Sequence, residues 1–395
     1  MKKLITLSVL TLVFSLGYAQ KRNVITAYNY GIKQGNTRYA DAKKAIDEAI
    51  NHVDTKEDEK AWYYRGIIYQ KIAESDKAEH MKLHESPWEE AVLSYKNSIK
   101  FQDKSGRFAK DAITQLNYIR VTCFNDGIKL FEEKDYINAA KKFTLSSEIG
   151  NLPEINFNED VVYYNTALSY ERANNLEAAK IQYKLSAENN YEPVGCIRRI
   201  ADITLKEGDT AAYVTILQDG IAQIADNQIL MLLLIDHYSN ANQLDIALDY
   251  LNKVIEIDPT NKVYHYAKGT FYDKKDNVEG AFEAYNKAIE LDPEYFDAIF
   301  NMGALFFNKG ADLNNQANDI PPQEVDAYNA MREKALEEFI KSTEYFERAL
   351  EINPTDMYCM KQLKQIYFQL RGKPGYSEKI KEMDELIHKA EETEN

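Results

Sequence analysis

Cysteine, proline and glycine are scarce in this chain, with 3, 9 and 16 residues among 395. Cys123, Cys196 and Cys359 are odd in number and widely scattered, so no disulfide framework is expected and stability must come from packing. Few helix breakers, set against plentiful Ala, Lys, Glu and Ile, favour an all-α chain. A basic excess is also missing. The 48 Lys and Arg face 63 Asp and Glu, for a net charge of −15 and no basic block. Nucleic acid and anionic lipid are therefore not expected partners. The chain has no phosphate-cradling glycine loop, no Gly-x-Ser-x-Gly and no Cys-x-x-Cys, and nothing selects a catalytic pair among its many carboxylates. No enzyme activity, cofactor or metal is expected. Disorder of the whole is excluded too, because 45% hydrophobic residues suffice for a core.

Long apolar runs are absent except at the start. Lys2 and Lys3, the stretch Leu4 to Leu16 and the small residues of Gly17-Tyr18-Ala19 read as an export signal cut after Ala19. The run is too short, and too rich in Thr and Ser, for a membrane span. No Cys follows it to carry a lipid. The mature chain, from residue 20 to 395, is thus expected to be periplasmic or secreted, without an integral membrane span.

What the chain has in abundance is tyrosine, 28 residues, arranged with a stride. In the 34 residues from Lys262 to Tyr295, Gly269, Tyr272, Ala281, Tyr285, Ala288 and Pro293 occupy positions 8, 11, 20, 24, 27 and 32. The preceding stretch repeats the set as Tyr238, Ala247, Leu251, Val254 and Pro259. Further units hold Gly127, Ala139 and Phe143; Ala167, Ala179 and Tyr183; and, near Pro193, a degenerate one with Ile200 and Ile203. An early unit (Trp62, Gly66, Tyr69, Ala91, Tyr95) carries an insertion, and a first, short one holds Gly31 and Ala42. Met302, Gly303 and Phe306 open a unit that resumes at Phe346 and Ala349, and a last pair starts near Met357. Residues taken as position 8 fall at 127, 167, 200, 235, 269 and 303. A stride held that long is a repeat array.

These residues resemble the tetratricopeptide repeat (TPR), a helix–turn–helix unit of 34 residues, over essentially the whole mature chain. The segment Phe300 to Pro354 further resembles a C-terminal region of exported bacterial TPR proteins. The resemblance implies an all-α superhelical solenoid of about nine antiparallel helix pairs. Position 8 would face position 20 at the closest approach of the two helices, with rings at 11 and 24 filling the wedge between hairpins. Two insertions, near 70–87 and 309–335, would lengthen first helices past the body, and 376–392 would form a capping helix with Ile380, Met383 and Ile387 on its inner stripe.

In TPR proteins the first helices line a concave binding face. The matching residues here are Tyr164, Ile197, Leu232, Tyr266, Phe300 and Phe307, with polar companions Asn165, Arg198, Asp236, Asp273 and Asn301. Such an aromatic groove suits an extended peptide or an amphipathic helix. The carboxylate-gripping set of one TPR subclass is absent. The resemblance thus implies an envelope scaffold or adaptor whose partners are other envelope proteins or peptides. A periplasmic small-molecule or glycan binder is the alternative. Cys123, Cys196 and His265 fall at position 4, a packing slot. His80 and His84 would share one solvated helix face, without a third metal ligand.

Overall fold

Residues 21–102, 105–224 and 227–393 are described in the computed structural model, so the expected export signal lies outside them. The described residues are helical with connecting turns, and contain no strand. Helices follow in pairs, and we call the first of each pair A and the second B. The pairs are α1 (21–31) and α2 (Tyr39–Ile50); α3 (Glu59–Ala73) and α5 (Pro87–Lys100), with a short α4 (Ala78–Met81) between; α6 (Arg107–Glu132) and α7 (Tyr136–Gly150); α8 (Val162–Arg172) and α9 (Leu176–Glu188); and α10 (Pro193–Lys206) followed by α11 (Thr210–Gln223). Then come α12 (Gln228–Asn240) and α13 (Leu244–Ile257), α14 (Lys262–Lys274) and α15 (Val278–Leu291), α16 (Phe296–Asn318) and α17 (Val325–Ile352), and α18 (Met357–Gln369) and α19 (Tyr376–Thr393). The chain divides into two compact units, up to Tyr213 and from Val214, with the boundary inside α11.

Several turns from A to B are built the same way. A residue in the left-handed region sits at position 15: Lys134, Asn174, Asn242 and Asp276. The next residue immediately precedes the B helix, and its side chain caps the helix at Asp135, Asn175 and Asn277. Each cap satisfies a backbone N–H that the helix cannot, a contribution of about 1 kcal/mol.

This turn corrects the frame of the degenerate unit. Gly208 is the left-handed residue there, and the Asp209 carboxylate accepts from the Ala212 N–H. Position 8 is therefore Ala201, fully buried, and not Ile200. With that shift, Ala167, Ala201, Ile235, Gly269 and Gly303 keep a constant 34-residue interval.

Packing inside a hairpin also differs from the expectation. A Cβ added at Gly66, Gly127, Gly269 or Gly303 would lie under 3.0 Å from the ring at position 24 of the same hairpin: Tyr95, Phe143, Tyr285 or Phe346. The ring lies flat in the notch that the glycine leaves. Only Gly31 meets the residue expected opposite it, Ala42, at 2.8 Å. Ala179, Ala247 and Ala281 at position 20 are fully buried all the same. Burying one such ring contributes about 2–3 kcal/mol. Position 27 adds a polar stitch: the Ser98 and Ser146 hydroxyls donate to the position-1 carbonyls of Glu59 and Arg120.

The second insertion lengthens α16 and α17, which run alongside each other and bury Ala335, Phe339 and Phe346. The first does not lengthen its helix. α3 stops at Ala73, and the following residues fold into α4 with His80 buried. His80 Nδ1 lies 2.7 Å from Ser75 Oγ and its ring meets Tyr39 edge-on. His84 lies beyond α4, against Tyr69, so the two histidines share no solvated helix face. An insertion that carries its own apolar and hydrogen-bonding contacts folds back in preference to projecting into water.

Candidate interaction face

Side chains on the A helices define the face predicted to bind, and each unit presents its own part. In the first unit Tyr164 is half-buried. Its ring meets Tyr183 and Tyr191 edge-on, both at 5.6 Å between centroids. The Tyr183 hydroxyl donates to Glu171 at 2.6 Å, and Arg199 pairs with the same carboxylate at 3.1 Å. Burial, then the hydrogen bond and charge of Glu171, push the Tyr183 phenol well above its ordinary value. Arg199, missed in the sequence, is thus the cation held among these rings. Arg198, the predicted one, is exposed. The one-residue frame error explains the swap, because neighbouring residues on a helix point about 100° apart. Asn165 and Ile197 are half-buried.

In the second unit Leu232 and Asp236 are exposed on α12. Tyr266, Asn301 and Phe300 are brought together. Asn301 Nδ2 donates to Tyr266 Oη at 3.2 Å and to Tyr285 Oη at 3.4 Å. Tyr266 packs on Tyr285 and Tyr295. Phe300 packs on Phe296, Phe346 and Tyr358, with Tyr358 62% exposed at the edge.

Positions 12 and 24 follow a rule within this chain. Where position 24 is Tyr, its hydroxyl emerges beside a polar residue at position 12. Tyr95 donates to Gln70 at 2.7 Å and Tyr183 to Glu171, while Asp273 lies near enough to Tyr285 for its charge to add to the upward shift that burial causes. Where position 24 is Phe143 or Phe346, position 12 is itself apolar, Phe131 or Phe307. A buried hydroxyl needs a partner and a phenyl ring does not. Phe307 accordingly packs inward on Phe339, 5.6 Å away, and belongs to the core more than to the face.

The cysteines and His265 have packing roles. All three thiols are free and fully buried, and burial pushes Cys123 and Cys359 up to about 12. His265 Nε2 lies 2.9 Å from the Pro259 carbonyl. Among the described residues no group of three or more His, Cys, Asp or Glu could hold a metal, and no helix is long and apolar enough to cross a membrane.

Residues 271–310 match the family model described as TPR repeat. Over those residues the chain is similar to a tetratricopeptide repeat. The TPR repeat-containing protein MJ1428 of Methanocaldococcus jannaschii is 39% identical over 72 residues, 18% of this chain and 12% of that protein. The uncharacterized protein MJ0572 of the same organism is 55% identical over 38 residues, 10% of this chain and 44% of that one. The chain thus spans less than half of each of these curated relatives. A solved TPR-repeat protein of Bacteroides fragilis aligns with a TM-score of 0.32 and 20% identity, over 62% of this chain and 97% of its own.

Proposed function

We propose that this TPR chain is an interaction scaffold of the bacterial envelope, reaching it through the export signal, and that its A-helix faces hold segments of partner proteins. The observation that carries this reading is the contrast within the second unit. Tyr266 and Tyr285, at positions 5 and 24, are joined by Asn301, and Leu232 is exposed on the preceding A helix, α12, all on a scaffold already fixed by its own packing. A pre-ordered face loses little entropy when a peptide docks. Rings with a polar tip suit such contacts, being apolar in body and hydrogen-bonding at the end.

Site-specific photo-crosslinking tests it. A photoreactive residue at Leu232 or Asp236, both on α12, is expected to give discrete adducts to one or a few envelope proteins. The same residue at Ile246, exposed on the B helix α13, is expected to give none. Adducts from Ile246 alone would place binding on the other side.

A further inference from the structure

The B helices of the second unit do not all close over their apolar residues. Leu244 and Leu248, at positions 17 and 21 of one repeat, are buried on α13, with exposures of 7% and 6%. The same positions of the next repeat hold Val278 and Phe282 on α15, and there the exposures are 42% and 39%. Four residues apart, the two share one face of the helix. They open onto a groove of about 560 Å³ that α16 and α17 complete.

Aromatic rings cross this groove from α15 to α17. The Phe306 ring meets Phe282 edge-on, 6.0 Å between centroids, and stacks on Tyr345 at 5.5 Å with the planes 16° apart. Phe306 and Tyr345 are half-buried, so part of each ring stays open. The rim is acidic. Glu279 and Glu283 on α15 and Glu344 on α17 line the groove, all exposed, and none forms a salt bridge among the described residues. Lys309 and Lys341 line it as well, but both are drawn to one buried carboxylate. Glu338 Oε1 accepts from Lys341 at 3.0 Å and pairs with Lys309 at 3.2 Å. Four carboxylates thus stand against two lysines.

We propose that this groove is a second docking surface, separate from the A-helix face, and that it takes an amphipathic helix of a partner protein with basic flanks. Apolar residues at i and i+4 of that helix lie over Phe282, Phe306 and Tyr345, and Lys or Arg beside them meet Glu279, Glu283 and Glu344. A helix suits the seat better than an extended segment. It satisfies its own backbone groups, whereas an extended chain laid on rings leaves N–H and C=O groups unpaired, and the described residues offer no strand edge to pair them. The acidic rim disfavours an acidic helix. It also disfavours a second copy, since the chain as a whole carries −15. The proposal does not rest on the A-helix face, and stands or falls apart from crosslinking at Leu232.

The test uses the full chain and a fluorescent amphipathic peptide of about 18 residues, long enough to hold a helix, with Leu on an i, i+4 stripe and Lys on both flanks. A peptide with Glu in place of every Lys is its counterpart, and binding is read by anisotropy. Because an acidic protein attracts any polycation, the variants matter more than binding itself. Phe282→Ala is expected to weaken the Lys peptide about tenfold. E279Q/E283Q, on exposed side chains, keeps the test valid should Phe282→Ala disturb Phe306, and is expected to weaken it about fivefold. Matched changes elsewhere serve as controls: Ile246→Ala, an exposed apolar residue of α13, and E378Q/E382Q on α19 are each expected to stay within about twofold. Losses as large from the controls, equal binding of the Glu peptide, or parent-like binding by both site variants would overturn the proposal. Self-association of the chain that Phe282→Ala removes, read by sedimentation, would overturn it too, because a second copy would then be the occupant.

Discussion

Tyr285 shows at the scale of one residue how much a single side chain carries. Its ring fills the notch of Gly269, and its hydroxyl meets Asn301 of the next hairpin. Gly269→Ala puts a Cβ 2.4 Å from the ring, so it is expected to cost about 1–3 kcal/mol despite the better helix propensity of Ala. Gly372→Ala meets nothing within 4 Å and is expected to be neutral within about 0.5 kcal/mol, so urea unfolding of the two variants separates packing from propensity. The stride made Gly269 and Tyr285 visible in the sequence, because glycine and aromatic residues recur at fixed positions. Their contact was not visible: a repeat gives the period, not which neighbour across the hairpin a ring selects. Phe307 was placed on the binding face for that reason, and it proves to pack on Phe339 in the core. Arg199 was missed because the frame slipped by one residue where neither Gly nor an aromatic marks position 8.

Buried acids of weak strength add a pH effect at this scale. Burial raises the Cys123 and Cys359 thiols to about 12 and the Tyr95, Tyr183 and Tyr285 phenols further. In the unfolded chain these groups lose protons from about pH 8.5 for thiols and about pH 10 for phenols, while the folded chain keeps them. The unfolded state then binds fewer protons, so stability falls as pH rises above about 9, by up to about 1.4 kcal/mol per pH unit for each group. Thermal melts between pH 8 and pH 11 are expected to show a steady fall in midpoint, and a flat profile would contradict the burial of these groups.

At the scale of elements, the two insertions were equally plain in the sequence and met different fates. The α16–α17 extension was legible because apolar residues keep helical spacing on both sides of Ile320-Pro321-Pro322. The 74–86 segment has no such spacing, and its contacts are specific instead: His80 to Ser75 and to Tyr39. His80→Ala is therefore expected to leave global unfolding within about 1–2 kcal/mol of the parent while speeding amide exchange of residues 74–86 at least tenfold. The connection after α7 is held more firmly. Arg120 is buried, pairs with Glu159 at 2.5 Å and lies under the Phe157 ring. Removing it with Arg120→Ala leaves a partly buried carboxylate unpaired, at an expected cost of about 3 kcal/mol in denaturant unfolding.

For the whole molecule, the claim is that repeated packing frees one side of each hairpin for partners. The B helices and the rings at position 24 supply the core, and the A helices carry rings and polar edges that the core leaves partly open. Hydrogen exchange of the chain with a partner protein captured by crosslinking, compared with the chain alone, tests this most directly. Protection is expected on α12, α14 and the first half of α16, with α13 and α15 unchanged. Protection confined to α13 and α15 would contradict the account.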